Sequence, residues 1–149
     1  MSSTQFHKSQ IQFRFSGKAK ITKWIEAVVK KEGRKIGSLD FIFCSDEYLL
    51  GINRQYLKHD YYTDIIAFDY SEGKTIGGEI YISMERVREN ASEMGETFHV
   101  ELSRVIIHGV LHLLGYSDKT ATQKKDMRRK EDECLALLFN KRNSWLKIG

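Results

Sequence analysis

The fold is decided by Leu102-Ser-Arg-Val-Ile-Ile-His-Gly-Val-Leu-His-Leu-Leu114, which predicts a buried helix at the centre of the protein. Its apolar residues cover every side of a helix: Val105, Ile106, Ile107, Val110, Leu111, Leu113 and Leu114. A helix that is apolar all round is buried rather than half-exposed. His108 and His112 lie inside this apolar surface, so the predicted central helix also carries two polar groups that need partners.

The segments around this helix predict an α+β domain with a four-stranded mixed sheet and about five helices. Alternating polarity, or a high content of β-branched and aromatic residues, predicts strands at 10–16, 39–44, 63–70 and 78–83. Apolar spacing and capping residues predict helices at 18–32, from Ser45 or Asp46 to Tyr56, from Ser83 to Met94, and at about 98–114 and 122–141. The sequence leaves the strand order open.

The length and composition favour one globular domain over residues 1–149. The chain has 41% hydrophobic and 30% charged residues, and its longest apolar runs are far shorter than the roughly 20 residues that cross a bilayer. We therefore expect no membrane partner. Cys44 and Cys134 form no CxxC pair and are expected to be buried thiols, and the alternative is a disulfide between them. With no signal peptide visible after Met1, the expected location is the cytoplasm.

Charge is distributed unevenly along the chain. Residues 1–37 carry 9 basic and 2 acidic side chains, residues 38–118 carry 6 and 14, and residues 119–149 carry 9 and 4. Two basic ends around an acidic middle suit a protein that holds a polyanion with its flanks. A helix surface solvated by lysine and arginine would give the same pattern, so charge alone supports nucleic-acid binding only weakly.

The two histidines and a later aspartate form a candidate metal site. His108 and His112 are four residues apart and therefore share one face of a helix. Gly115 is expected to end the helix in a left-handed conformation, so that Asp118 folds back towards the imidazoles. Two imidazoles, one carboxylate and an open position are typical of a catalytic zinc site. We predict one zinc ion per chain, and the alternative is a pair of hydrogen-bonded core histidines.

Gly109 bears on what such a site could do. A His-Glu-x-x-His peptidase uses the residue after its first histidine as the general base, and Gly109 has no side chain for that task. Glycine also leaves room for a backbone or a bulky substrate to approach. We therefore expect a hydrolytic metal centre for a substrate other than a peptide.

The same residues resemble the motifs of a known family. His108-Gly-Val-Leu-His-Leu-Leu-Gly-Tyr116 resembles the signature His-Gly-x-Leu-His-Leu-x-Gly-Tyr-Asp-His of the YbeY family. Upstream, Asn53-Arg-Gln-Tyr56 and Thr63-Asp-Ile-Ile-Ala-Phe68 are similar to a second block of that family, and Gly78-Glu-Ile80 to a third. The order and spacing of these blocks agree over residues 52–118.

The resemblance implies a metal-dependent endoribonuclease that takes part in the maturation of 16S rRNA. It would act on the small ribosomal subunit and would also serve ribosome quality control. His108, His112 and Asp118 would be its catalytic metal ligands, and no dinucleotide cofactor is expected. Three departures matter: Asp118 stands where the family usually has a third histidine, Tyr62 where it has a proline, and Leu57 where it has an arginine. Arg54, Lys58 or His59 could replace that arginine. The alternatives are a zinc hydrolase of peptide or amide bonds and a non-catalytic ribosome-assembly factor with structural zinc.

Three further features have two interpretations each. Asp64 could orient a ligand imidazole or cap a turn. Arg104 could reach a scissile phosphate, but we favour an ion pair with Glu101 or Asp64. A basic group on the last predicted helix could be a solvated face or an RNA contact beyond the site; it comprises Lys124, Lys125, Arg128, Arg129 and Lys130.

Overall fold

The computed structural model describes residues 3–139, which fold into a four-stranded sheet and five helices. Along the chain the elements are β1 (Ser3–Ser9), α1 (Lys18–Lys31), β2 (Lys35–Cys44), α2 (Asp46–Tyr56), β3 (Ile65–Asp69), β4 (Thr75–Ser83), α3 (Met84–Met94), α4 (Phe98–Leu113) and α5 (Ala121–Phe139). The predicted α+β class is confirmed. The end of the predicted last helix, at 140–141, lies outside the described residues, and one domain over all of residues 1–149 stays a prediction.

The sheet is mixed, with the strand order β1-β2-β4-β3. The strands β1, β2 and β4 run parallel, and β3 pairs antiparallel with β4. Parallel neighbours need a crossover connection, which α1 provides between β1 and β2. In the antiparallel pair Ile65 lies opposite Ile82, so the start of β3 meets the end of β4.

The predicted strand at 10–16 is wrong, because the first strand is Ser3–Ser9. Ser9 pairs with Cys44, the last residue of β2, so β2 offers no further partners to the chain beyond that point. Gln10 then takes a positive φ of 56° and the chain leaves the sheet. Phe13 and Phe15 belong to the alternating residues that suggested a strand. Their partly buried side chains instead pack against the core from a segment outside the sheet.

Period-two alternation along the strands divides the apolar residues between the two faces of the sheet. Phe43 belongs to the main core, which α1, α4 and α5 cover, whereas the adjacent Cys44 packs with Leu49 and Ile66 in a small cluster under α2. Both cysteines are buried free thiols, as predicted. Burial raises the pKa of Cys44 to about 12 and that of Cys134 to about 11.

The helix α4 is the central element, as its all-round apolar sequence predicted. It contacts α1, α3 and α5 as well as β3 and β4. At Gly109 the helix approaches the sheet so closely that a Cβ atom would lie 2.9 Å from Cγ2 of Ile80 and 3.1 Å from Cδ1 of Ile65. Of the two expectations for the room at Gly109, the close approach of another part of the chain is confirmed, and the approach of a substrate is wrong because the sheet occupies that room.

No helix among residues 3–139 is both long and apolar enough to cross a membrane.

Candidate metal centre

The C-terminal end of α4 turns the chain back towards its own histidines. Gly115 has a φ of 104°, and its N–H donates to the carbonyl of His112 at 3.0 Å. The N–H of Tyr116 donates to the carbonyl of Leu111, also at 3.0 Å. These two bonds form a Schellman motif, which glycine favours because the left-handed conformation would strain a residue with a Cβ atom. The chain therefore reverses within three residues and brings Asp118 to the last turn of the helix.

The structure brings together the three predicted ligands, His108, His112 and Asp118. The Nε2 atoms of the two imidazoles lie 3.1 Å apart. Oδ2 of Asp118 lies 3.3 Å from Nε2 of His108 and 3.5 Å from Nε2 of His112. These atoms form a nearly equilateral triangle, which we call the ligand triangle.

The ligand triangle fits a tetrahedral metal ion. Zinc bonds to nitrogen and oxygen of 2.0–2.2 Å at tetrahedral angles place neighbouring ligand atoms about 3.4 Å apart, which is close to all three observed distances. The three side chains are between 21% and 36% exposed, so a metal ion that they held would be accessible from solvent.

His108 is held from behind by an acid on another helix. Its Nδ1 lies 2.5 Å from Oε2 of Glu131 on α5. Burial lowers the pKa of His108, but the hydrogen bond and charge of Glu131, with the charges of Asp118 and Asp64, outweigh burial and raise the pKa above its ordinary value. Sequence analysis missed Glu131. One feature of the sequence could have identified it: a charged residue stands on the apolar face of the last helix, four residues after Met127 and four before Leu135. A charged residue on a buried face needs a partner.

His112 has the opposite electrostatic character. Burial and the neighbouring charge of His108 lower its pKa, and these effects outweigh Asp118 and a hydrogen bond with the backbone of Tyr116. His112 is therefore neutral near pH 7, which is the form that binds a metal ion. Both imidazoles thus have a second partner, and both direct Nε2 into the ligand triangle.

A cavity of about 380 Å³ adjoins the ligand triangle, and both His108 and Asp118 line it. Three cationic side chains line it as well: Arg104, Lys124 and Arg128. The two predicted basic flanks are residues 1–37 and 119–149. Of their basic residues that the structure describes, only Lys124 and Arg128 line this cavity. On the same helix Arg129 pairs with acids of α5 itself, and Lys130 pairs with Glu32.

The other sequence-predicted residues have different roles. Asp64 lines the cavity and accepts a hydrogen bond from Asn90, but the contact with a ligand imidazole belongs to Glu131 instead. The three residues proposed to replace the arginine at Leu57 do not line this cavity: Arg54, Lys58 and His59. Arg54 pairs with Asp60, while His59 stacks on Tyr61.

Zinc affinity is expected to fall as the pH decreases through the raised pKa of His108. The metal-free imidazole holds its proton to a higher pH than an ordinary histidine, whose pKa is about 6.5, and zinc must displace that proton. For each proton that binding releases, the zinc affinity should fall about tenfold for every pH unit below that pKa. Calorimetric titration with zinc in two buffers of different ionisation enthalpy would count the protons. An affinity independent of pH between about 6 and 8 would contradict this expectation.

The fold and the ligand triangle define a class, that of small α+β proteins with three candidate metal ligands at the end of a buried helix. A family model described as Endoribonuclease YbeY matches residues 3–138. The chain is 49% identical over 134 residues to the Endoribonuclease YbeY of Flavobacterium psychrophilum, covering 90% of this chain and 96% of that protein. It is 51% identical over 133 residues to that of Cytophaga hutchinsonii, with coverages of 89% and 93%. The chain belongs to the YbeY family of endoribonucleases.

A solved structure has a similar fold. The solution structure of a protein from Thermotoga maritima matches with a TM-score of 0.60 and 29% sequence identity, covering 91% of this chain and 88% of that one. The resemblance found in the motifs at 52–118 therefore extends over the whole described fold.

Proposed function

We propose that this protein is a zinc-dependent endoribonuclease that cleaves small-subunit (16S) ribosomal RNA during its maturation, and that it serves ribosome quality control in the cytoplasm. The observation that carries the proposal is the ligand triangle beside a cavity that also contains Lys124 and Arg128. Membership of a family named for endoribonuclease activity supports RNA as the substrate class.

The residues divide into metal ligands and substrate contacts. His108, His112 and Asp118 would hold one zinc ion through Nε2, Nε2 and Oδ2. When bound, zinc supplies a Lewis acid that polarises a phosphoryl oxygen and lowers the pKa of a water molecule. Lys124 and Arg128 would bind and orient the phosphates of an RNA strand that enters the cavity.

Two alternatives are less well supported by the same residues. A zinc peptidase of the usual kind lacks its base, since Gly109 has no side chain, and a Cβ atom at that position would point into the core against Ile80. A structural zinc ion is normally enclosed by four protein ligands. Among residues 3–139 the group contains three, all partly exposed, and two of them, His108 and Asp118, line the cavity. Three ligands and access from a cavity favour a catalytic site.

One substrate comparison separates these possibilities. The zinc-loaded protein is incubated with purified 16S rRNA, with small ribosomal subunits and with a peptide mixture. Cleavage of either RNA substrate without peptide cleavage supports the proposal. Peptide cleavage supports the first alternative, and bound zinc without cleavage of any substrate supports the second.

RNA affinity is expected to fall in the double variant Lys124→Ala/Arg128→Ala, because two cations are lost from the cavity wall. Log affinity falls with log salt, and each phosphate contact contributes about 0.7 to the steepness of that fall for a single strand. The double variant should therefore show a salt dependence that is shallower by about 1.4. Fluorescence anisotropy with a labelled single-stranded RNA at several salt concentrations measures both quantities.

Arg129→Ala is the matched control for this prediction. It removes one cation from the same helix, but its guanidinium pairs with Asp126 and Glu133 and does not line the cavity. The control should keep the wild-type salt slope. A double variant with the salt slope of the control would show that the cavity cations do not contact RNA.

A further inference from the structure

Glu131 is a buried acid whose two carboxylate oxygens have different partners. The residue is 4% exposed. Its Oε2 accepts the hydrogen bond from Nδ1 of His108, and its Oε1 accepts one from Nη1 of Arg104 at 3.2 Å. A buried carboxylate without such partners would be strongly unfavourable. The arginine therefore supplies the opposite charge that lets an acid lie directly behind a metal-ligand candidate.

The contact with Glu131 determines which nitrogen of His108 is available. A neutral imidazole carries its proton on either Nδ1 or Nε2, and the hydrogen bond at one nitrogen decides the choice. The carboxylate of Glu131 can only accept a hydrogen bond, so Nδ1 of His108 carries the proton and donates it, and the lone pair is on Nε2. Nε2 is the atom that points at His112 and Asp118 in the ligand triangle.

Arg104 fixes the carboxylate in turn. It lies one helical turn before His108 on α4 and is 9% exposed. Besides Glu131, its Nη1 pairs with Oδ1 of Asp132 at 2.9 Å, and its Nε lies 3.9 Å from Oε1 of Glu101. The predicted ion pair with Glu101 is present. Three acids therefore pair with Arg104, which agrees with the favoured interpretation of this residue as an ion-pair partner.

We propose that Glu131, held by Arg104, is a positioning residue that fixes the tautomer and ring orientation of His108 and thereby sets the affinity of the site for zinc. The role in the reaction rests on the proposed function, but the effects on tautomer and affinity do not. Loss of such an outer hydrogen-bond partner weakens metal binding by about 10–100-fold in known sites.

The experiment compares Glu131→Ala, Glu131→Gln and the control Asp132→Ala. Asp132 also pairs with Arg104 and links α5 to α4, but it does not touch His108. Zinc affinity is measured by competition with a chromogenic chelator. The tautomer of His108 is read from its ¹⁵N NMR shifts in the metal-free protein, at a pH above the pKa of that residue.

The proposal gives each variant a distinct result. Glu131→Ala should lose about 10–100-fold in zinc affinity and shift His108 from the Nδ1–H towards the Nε2–H tautomer. Glu131→Gln keeps one acceptor oxygen, so it should retain the Nδ1–H tautomer and show an intermediate affinity. Asp132→Ala should keep both wild-type values. A merely structural link between the two helices would instead make the Glu131→Ala and Asp132→Ala variants alike.

The wild-type tautomer and zinc affinity in Glu131→Ala would overturn the proposal. Should that variant fail to fold, Glu131→Gln decides, and an affinity equal to that of Asp132→Ala overturns the proposal. None of these measurements uses RNA. A wild-type protein that fails to cleave RNA would therefore overturn the proposed nuclease function without affecting the role of Glu131.

Discussion

Replacing His112 with alanine is expected to remove bound zinc and to abolish RNA cleavage. The variant leaves His108 and Asp118 as two ligands, and the imidazole nitrogen 3.1 Å from Nε2 of His108 is gone. The loss should exceed the roughly 100-fold upper range for an outer hydrogen-bond partner, because a direct ligand is removed. Since His112 is partly exposed at the helix end, the fold should survive the change.

The measurement is metal content by plasma mass spectrometry on protein purified without a histidine tag, followed by RNA cleavage. We expect about one zinc ion per wild-type chain and none in His108→Ala, His112→Ala or Asp118→Ala. His99→Ala is the matched control, since His99 lies on the same helix about two and a half turns before His108 and contacts Phe139 edge to face. Zinc retained in Asp118→Ala alone would place Asp118 outside the direct ligands. Wild-type zinc content in His112→Ala would contradict the site.

Replacing Gly109 with alanine is expected to destabilise the protein by about 1–3 kcal/mol, as overpacking of a core does. Alanine is normally the better helix former, by about 1 kcal/mol. At this position, however, the new methyl group would lie 2.9 Å from Ile80 and 3.1 Å from Ile65, inside normal contact distances. Either the helix must shift away from the sheet or the two isoleucines must repack. Both changes would occur directly beside His108, the residue that precedes position 109.

Urea unfolding followed by circular dichroism measures this effect, and the helix α2 offers a matched control. Gly51 is an exposed helical glycine where an added methyl group would meet no other atom within 4 Å, so Gly51→Ala should stabilise the protein by up to about 1 kcal/mol. Opposite signs at the two glycines are the expected result. A Gly109→Ala variant as stable as Gly51→Ala would contradict close packing between α4 and the sheet.

Local patterns predicted most of the candidate site. The spacing of His108 and His112 depends only on helical geometry, and the apolar residues around them predicted that this helix is buried. The return of Asp118 depends on one glycine-ended turn, which Gly115 forms as expected. The motif resemblance at 52–118 likewise predicted the family, which the match over residues 3–138 confirms.

Contacts between distant segments could not be predicted in this way. Alternation at 10–16 indicated a strand, but the register of β1 on β2 decides where pairing ends, and that depends on a partner more than 30 residues away. Asp64 was a reasonable partner for His108 by chain position, yet the packing of α5 on α4 gives that place to Glu131.

The sequence by itself therefore determined the class of fold, the family and the three ligand candidates, because helix periodicity and turn chemistry act within about ten residues. Only the tertiary structure decided what surrounds those ligands. It placed Ile80 against Gly109, Glu131 behind His108, and Lys124 with Arg128 on the cavity wall. Each of these contacts joins separate elements, and their distances follow from how α4 packs between the sheet and α5 rather than from any local pattern.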